Sequence, residues 1–205
     1  MFAPRSGRYL AVGFGIVPIA GAIALALHAL LWLIPVAFLL AFVVFLAVFF
    51  RDPDRVPGPG IVSAADGKVL AVSREGPRWR IAVFLSVTDV HVNRVPIDGV
   101  LRSTRASGEG YRPAYAPDAR HNRQRSYVID TELGEVEIVQ MTGIVARRLV
   151  SFVSVGDRLT KGARFGMIVL GSRVDVLLPA GRVRPTVRVG DRVRGGLSPI
   201  AEELG

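Results

Sequence analysis

The sequence predicts a mainly β soluble domain that follows an N-terminal α-helical membrane hairpin. Two observations carry this prediction. Residues 9–50 contain no Asp, Glu, Lys or Arg. From residue 61 onward the chain consists of short β-rich runs separated by turns, with no long amphipathic helical pattern. We therefore expect three parts: the hairpin over residues 1–50, a Pro/Gly-rich linker over 51–60, and a β-rich domain over 61–205.

The uncharged run is long enough for two membrane helices. As a single helix it would extend about 63 Å, roughly twice the ~30 Å apolar core of a bilayer. A hairpin with its turn near residues 28–32 fits better, although a hairpin that enters only one leaflet stays open. Arg5 and Arg8 precede the run, and Arg51 and Arg55 follow it. The positive-inside rule then places both ends, and the soluble domain, on the cytoplasmic side of the cell membrane.

Composition excludes several kinds of chemistry. The 205-residue chain has no Cys and only three His, so thiolate catalysis and Cys-rich metal sites are excluded and a His-rich metal site is not expected. The net charge of +9 comes almost entirely from Arg, because Lys occurs only at Lys68 and Lys161. Arg suits the binding of phosphate and carboxylate groups, so we expect an anionic partner. Nucleic acid is disfavoured, because the arginines are spread through strands and turns without an aromatic platform.

A weak internal repeat bears on the β architecture. The segments "VGDRLTKG" (155–162) and "VGDRVRGG" (189–196) share a Val-Gly-Asp-Arg start and a Gly at the eighth position. Gly-Asp followed by an apolar residue is typical of a tight turn into a strand. Two such turns indicate sandwiched β-hairpins, the barrel-sandwich arrangement of lipoyl and biotin carrier domains.

Three polar residues lie in apolar or β-rich surroundings and are candidates for chemistry. Asp66 lies in "SAADGKV", His91 in "FLSVTDVHVNRVP" and Ser172 in "LGSRVDVLLP". A hydroxyl, a base and a carboxylate that orients the base are the parts of an activated-nucleophile system. Each residue also has a purely structural interpretation: Asp66 and Ser172 as turn residues and His91 as a satisfied polar side chain. Spacing along the chain does not show that the three meet.

Six motifs carry a resemblance to a known family. They are "FFRDPDR", "ADGKV", "DVHVNRVP", "TGIVARRLV", "GDRLTKGARFG" and "GSRVDVLLP", in this order between Phe49 and Pro179. The set resembles the short bacterial and archaeal form of phosphatidylserine decarboxylase, a pyruvoyl-dependent carboxy-lyase made as a proenzyme. The resemblance implies that the chain cuts itself between Gly171 and Ser172, giving a β chain (1–171) and an α chain (172–205).

The resemblance also implies roles for individual residues. Ser172 becomes the pyruvoyl group, which forms a Schiff base with the substrate amine, so that neither a metal nor pyridoxal phosphate is needed. His91 serves as base and later as acid, and Asp66 orients it; the open alternative is that Arg94 or a water assists His91. Some members carry the pattern D-x-H-x-x-H-x-P, in which the second His is replaced here by Arg94. Arg94, Arg147 and Arg148 are assigned to substrate binding. For Arg147 and Arg148 in "VARRLV" this means contact with phosphate or acidic lipid, and a structural ion pair is the open alternative.

The function implied is the decarboxylation of phosphatidylserine to phosphatidylethanolamine and CO2 at the cytoplasmic membrane surface, in phospholipid biosynthesis. The implied partners are the phospholipid substrate, the membrane, the α and β chains as a heterodimer, and further copies in a homo-oligomer. Archaetidylserine would demand the same head-group chemistry. A membrane-anchored lipoyl-type carrier would have to use Lys161. A membrane serine hydrolase is disfavoured, because "GSR" is not the G-x-S-x-G elbow.

Overall fold

The computed structural model describes residues 7–144, 148–169 and 172–204, with the backbone alone for 7–15, 117 and 118. The chain divides into two compact units, residues 1–47 and 48–205. The first is helical and the second contains the strands. The mainly β domain preceded by an apolar helix, as predicted from the sequence, is confirmed.

One continuous helix, α1 (Gly7–Phe49, 43 residues), replaces the two-helix hairpin that the sequence predicts. The expected turn region, "HALLW", contains no Gly, Pro or Asn that would favour leaving the helix. Instead, Trp32 Nε1 donates a hydrogen bond to His28 Nε2 at 3.1 Å, one helical turn away. Side chains four residues apart are neighbours on a helix surface, so this contact supports continuity through the predicted turn.

The helix is apolar on every side. All residues from Ile16 to Phe45 are exposed. The stretch Ile16–Phe49 has a mean hydropathy of 2.9 and is, among the described residues, the one helix long and apolar enough to cross a membrane. A helix that is hydrophobic all round is stable only in an apolar environment. The predicted association with a membrane is consistent with this helix.

The second unit is built from short antiparallel strands. In the part of the chain that the structure describes, the elements are β1 (Ile61–Val62), β2 (Gly67–Glu75), β3 (Arg78–Leu85), β4 (Val92–Arg94), β5 (Gly99–Ser107), the 3-10 helix η1 (Pro117–His121), β6 (Gln124–Thr131), β7 (Gly134–Thr142), β8 (Arg148–Ser151), β9 (Arg158–Leu159), β10 (Arg164–Val169), β11 (Ser172–Pro179), β12 (Val183–Pro185), β13 (Arg192–Val193) and β14 (Pro199–Glu203).

The strands form one large and two small sheets. The large sheet has the order β13-β2-β3-β11-β7-β6-β5-β9, and the small sheets have the orders β4-β10-β8 and β1-β14-β12. Strand β11 lies in the interior of the large sheet, paired with β3 along its whole length and with β7 from Ser172 to Leu177. Its alternate residues Val174, Val176 and Leu178 are fully buried in the main hydrophobic core. Burial of these side chains fixes the register of the strand from which Ser172 begins.

The opposite face of β11 holds a buried ion-pair network. Arg80 Nε donates to Asp175 Oδ2 at 2.6 Å, and Arg173 Nε donates to Asp175 Oδ1 at 2.6 Å. Asp175 is 1% exposed and each arginine 5%. A buried carboxylate held by two guanidinium groups is stable only while all partners remain, because each charge has lost its hydration.

The internal repeat forms two copies of one turn. Gly156 and Gly190 both have positive φ, at 96° and 100°. In each copy the following Asp accepts a 2.8 Å hydrogen bond from the backbone N–H three residues before it, through Asp157 and Asp191. The turns lead into β9 and β13, which are the two edge strands of the large sheet. Each copy of the repeat therefore leads the chain into one of the two edge strands of the large sheet.

Candidate active site

Ser172 lies at the point where the chain leaves a small sheet and enters the large one. It follows β10 closely and is the first residue of β11, with Leu85 of β3 and Thr142 of β7 as its Cα partners. The residue is fully buried, and its Oγ has no hydrogen-bond partner among the described residues. Gly171, the predicted site of cleavage with Ser172, lies outside the described residues.

His91 is tied to the same end of the sheet by its backbone. The loop that carries it begins directly after Leu85, the residue opposite Ser172. At its other end, the carbonyl oxygen of His91 accepts a hydrogen bond from Ile168 N at 3.3 Å, in the strand that runs toward Ser172. Both ends of the loop are thus attached close to Ser172 along the chain or across the sheet. The structure brings these two predicted residues to one end of the fold.

The imidazole of His91 has the tautomer of a base. Its Nδ1 lies 2.8 Å from the carbonyl oxygen of Asp89. Because a carbonyl only accepts hydrogen bonds, Nδ1 carries the proton and Nε2 is left as an acceptor. The side chain is fully buried, and the Phe49 ring lies 4.2 Å from the imidazole, centroid to centroid.

Burial also makes this imidazole neutral near pH 7. Removal from water lowers the pKa of His91 below its ordinary value, and the charge of Arg51 lowers it further. The hydrogen bond to Asp89 and the carboxylates of Asp89 and Asp66 oppose this shift but do not outweigh burial. His91 is therefore able to accept a proton at Nε2 at neutral pH.

The unpaired buried polar atoms of the described residues belong either to the segment 91–94 or to Ser172. Buried polar atoms are nearly always hydrogen-bonded, since an unsatisfied one costs about 1–3 kcal/mol. The atoms without a partner in the described part of the chain are His91 Nε2, Asn93 Nδ2, Arg94 Nε and Ser172 Oγ. A proton donor and a proton acceptor that remain unpaired in a buried site are available for reaction.

Asn93 is a residue of this group that the sequence reasoning did not single out. Its Oδ1 accepts a 2.7 Å hydrogen bond from Gln140 Nε2, and Gln140 Oε1 accepts one from the hydroxyl of Tyr127 at 3.0 Å. These contacts fix the amide so that its N–H2 group is the unpaired end. The sequence signal that could have identified Asn93 is its position in "DVHVNRVP", two residues after His91.

Asp66 and His91 share no hydrogen bond among the described residues, and the orienting role of Asp66 stays a prediction. Its carboxylate forms a bidentate ion pair with Arg55, with Nη2 to Oδ2 at 2.8 Å, and accepts a 2.7 Å hydrogen bond from Gly195 N. Among the hydrogen bonds of the described residues, the backbone carbonyl of Asp89 is what orients the imidazole. Asp66 acts on His91 through its charge.

Arg94 has a structural role in this fold, and its predicted contact with substrate stays a prediction. The residue is 3% exposed, and its guanidinium donates to Asp52 Oδ1 and the Pro53 carbonyl, each at 2.8 Å, and to the Gly162 carbonyl at 3.0 Å. Together with the pair between Arg55 and Asp66, these bonds fasten the linker (51–60) to the β domain. The linker contains no helix or strand, and these ion pairs and hydrogen bonds hold it in place.

Two cavities flank this end of the large sheet. One, of about 700 Å³, is lined by residues that include Arg51, Asp66, Asp89, Arg192 and Arg194. The other, of about 710 Å³, is lined by residues that include Arg123, Arg125 and Arg148. Of the two arginines assigned to lipid contact in "VARRLV", Arg148 thus lines a basic cavity, and Arg147 lies outside the described residues.

Comparison with known proteins identifies the family. Residues 42–201 match the family model described as phosphatidylserine decarboxylase. The chain belongs to the phosphatidylserine decarboxylase family. Members of this family that resemble it include a phosphatidylserine decarboxylase proenzyme of Thermobifida fusca, 46% identical over 74% of this chain and 70% of that protein. A putative archaetidylserine decarboxylase proenzyme of Methanococcoides burtonii is 44% identical over 78% of this chain and 76% of that protein.

A third relative extends the similarity to the N-terminal helix. The phosphatidylserine decarboxylase proenzyme of Carboxydothermus hydrogenoformans is 38% identical over 98% of this chain and 96% of that protein. Membership of this decarboxylase family confirms the resemblance read from the six motifs and disfavours a lipoyl-type carrier. Lys161, which such a carrier would modify, donates a 3.3 Å hydrogen bond from Nζ to the Gly60 carbonyl.

Proposed function

We propose that the chain is a self-processing lyase that decarboxylates phosphatidylserine to phosphatidylethanolamine and CO2, using a pyruvoyl group made from Ser172. The observation that carries the proposal is that Ser172 Oγ and His91 Nε2 are both buried at one end of the sheet and have no hydrogen-bond partner among the described residues, in a member of this family. A serine at this place fits the precursor of such a group, because within the described part of the chain its hydroxyl makes no hydrogen bond that the reaction would have to break.

The first reaction is self-cleavage. His91 Nε2 takes the proton of the Ser172 hydroxyl while Oγ attacks the carbonyl carbon of Gly171. The C–N bond of the peptide breaks, and the nitrogen takes a proton, which leaves an ester between the two residues. Removal of the α-proton of Ser172 then expels the Gly171 carboxylate and leaves dehydroalanine. Water converts this to the pyruvoyl group and releases ammonia, so the products are chains 1–171 and 172–205.

In the second reaction the pyruvoyl group supplies an electron sink for the electrons that remain when the substrate carboxylate leaves as CO2. The residues around it bind, exclude water and move a proton. His91, protonated in the course of the reaction, is the group placed to return a proton to the substrate carbon. Its burial under Phe49 keeps bulk water from this position.

The helix and the basic residues fit a lipid substrate. A diacyl lipid stays in the bilayer, so the enzyme must work at the membrane surface, and α1 is long and apolar enough to hold it there. We propose that the β domain lies on the cytoplasmic side, as in the hairpin arrangement; for one continuous helix, Arg5 and Arg8 at one end and Arg51 and Arg55 at the other give no charge bias between the two sides. We also propose that the two chains stay together as a heterodimer and that the enzyme is a homo-oligomer.

Intact-mass analysis of the purified chain tests the proposal. We expect two fragments divided between residues 171 and 172, with a ketone-bearing, amine-free terminus on the smaller one, and release of CO2 from vesicles that contain phosphatidylserine. The variant Ser172→Ala should stay whole and inactive. A full-length wild-type chain that retains its serine and still releases CO2 would contradict the mechanism.

A further inference from the structure

Three arginines that line the basic cavity have no counter-ion among the described residues. These are Arg123, Arg125 and Arg148, which lie with Glu109 and Ser107 around a space of about 710 Å³. No hydrogen bond or ion pair of their side chains occurs within the described ranges. Other arginines of the second unit hold carboxylates, namely Arg55, Arg80, Arg94, Arg164 and Arg173.

The cavity lies on the same face of the large sheet as Ser172. Directly paired residues of antiparallel strands share a face, and alternate residues of one strand do too. Arg125 pairs with Gln140, Gln140 pairs with Val174, and Val174 lies two residues from Ser172. Arg125 and Ser172 are therefore on one side of the sheet.

Arg123 and Arg148 are close to Ser172 through the backbone. The Arg123 carbonyl accepts hydrogen bonds from the N–H and hydroxyl of Thr142, the Cα partner of Ser172. Two strand spacings, about 10 Å, thus separate their backbones. Arg148 pairs across its sheet with Val169, three residues before Ser172. An extended arginine and the spacer between the amine and phosphate of a serine head group can together cover this distance.

We propose that this cavity binds the phosphodiester of the lipid head group while the amine reaches position 172. The proposal rests on the function proposed above. Guanidinium groups bind phosphate oxygens through paired N–H donors, and three converge here against the single acid Glu109. Anchoring the diester positions the reacting carbon without taking part in bond breaking. The cavity is therefore a binding subsite, with Arg125 and Arg148 on opposite sheets as its main contacts.

The kinetic test uses purified, self-cleaved enzyme with a soluble short-chain phosphatidylserine. Arg125→Gln and Arg148→Gln should each raise KM about tenfold, the loss expected for one charged hydrogen-bonding group, and should leave kcat within about twofold. Glu109→Gln should lower KM, because it removes the opposing charge. The control is Arg105→Gln, which changes an exposed arginine on the neighbouring strand that pairs with Ser126 and faces the other side.

The outcomes are decisive in either direction. A KM for Arg125→Gln and Arg148→Gln equal to that of Arg105→Gln would overturn the proposal. If a Gln variant fails to cleave itself, the corresponding Lys variant takes its place, since it keeps the charge but loses the planar fork. A threefold or larger rise in its KM supports the subsite, and an unchanged KM contradicts it.

A binding test separates this proposal from the proposed reaction. The uncut Ser172→Ala proenzyme should broaden the 31P resonance of glycerophosphoserine, and adding Arg125→Gln should abolish the broadening. This result does not depend on self-cleavage. The head-group subsite can therefore be supported even if the proposed reaction is refuted, and the proposed reaction can be supported even if the subsite is refuted. Inorganic phosphate that competes as tightly as the diester would contradict a head-group site and indicate a site for free phosphate.

Discussion

Replacing Phe49 with alanine tests whether burial sets the basicity of His91. The aromatic ring lies 4.2 Å from the imidazole, and burial is the largest cause of the lowered pKa of His91. A pKa below 6.5 leaves more than about three quarters of the imidazole neutral at pH 7 and more than about a quarter neutral at pH 6. Self-cleavage of the wild type at pH 6 should therefore keep more than about a quarter of its rate at high pH.

Phe49→Ala admits water to the imidazole, which raises the pKa of His91 toward 6.5 and moves the midpoint of the pH–rate curve upward. The proenzyme is made by cell-free synthesis, shifted to each pH, and the appearance of fragments 1–171 and 172–205 is followed on gels. Phe152→Ala, at an exposed phenylalanine, is the control. A wild-type midpoint above pH 6.5, or the same midpoint in Phe49→Ala, would refute the reasoning.

Three further predictions follow from the contacts of the site. Asp175→Asn in the uncut Ser172→Ala background leaves buried Arg173 without its carboxylate and leaves Arg80 with Glu75 alone, and it should lower the free energy of unfolding by about 3–5 kcal/mol, measured by denaturant titration. Asn93→Asp replaces the unpaired buried N–H2 by oxygen and should slow fragment formation at least about tenfold while thermal melting shows a folded protein. Arg55→Gln removes the partner of Asp66 and should expose the linker to protease. If this variant cleaves itself at the wild-type rate while Asp66→Asn does not, Asp66 acts through its own charge rather than through the linker.

The sequence predicts the β domain and the family well because both depend on local patterns. Alternation of apolar residues along β11 defines a buried strand, and the six motifs place Ser172 and His91 within a known family. The prediction of a helical hairpin is wrong, also for a local reason. Length alone suggested a turn, but no residue in the expected region favours one over the helix.

The partners of charged side chains could not be predicted, because they are distant along the chain. Asp66 pairs with Arg55 and with the backbone of Gly195, and Arg94 reaches back to Asp52. Nothing in the spacing of these residues distinguishes a fastened linker from a catalytic or substrate contact. The basic cavity is equally hidden, since its three arginines come from a loop and from strands of two sheets.

The central place of β11 has a consequence for how long the mature protein lasts. A cut just before Ser172 would leave that strand hydrogen-bonded to β3 and β7, so we expect the fragments to remain one folded body. After unfolding, however, the short chain would have to bind again between β3 and β7 in a bimolecular step, and the serine that became the pyruvoyl group cannot be restored. Maturation would thus irreversibly convert a chain that can refold into a two-chain assembly whose lifetime depends on slow unfolding, that is, on kinetic stability.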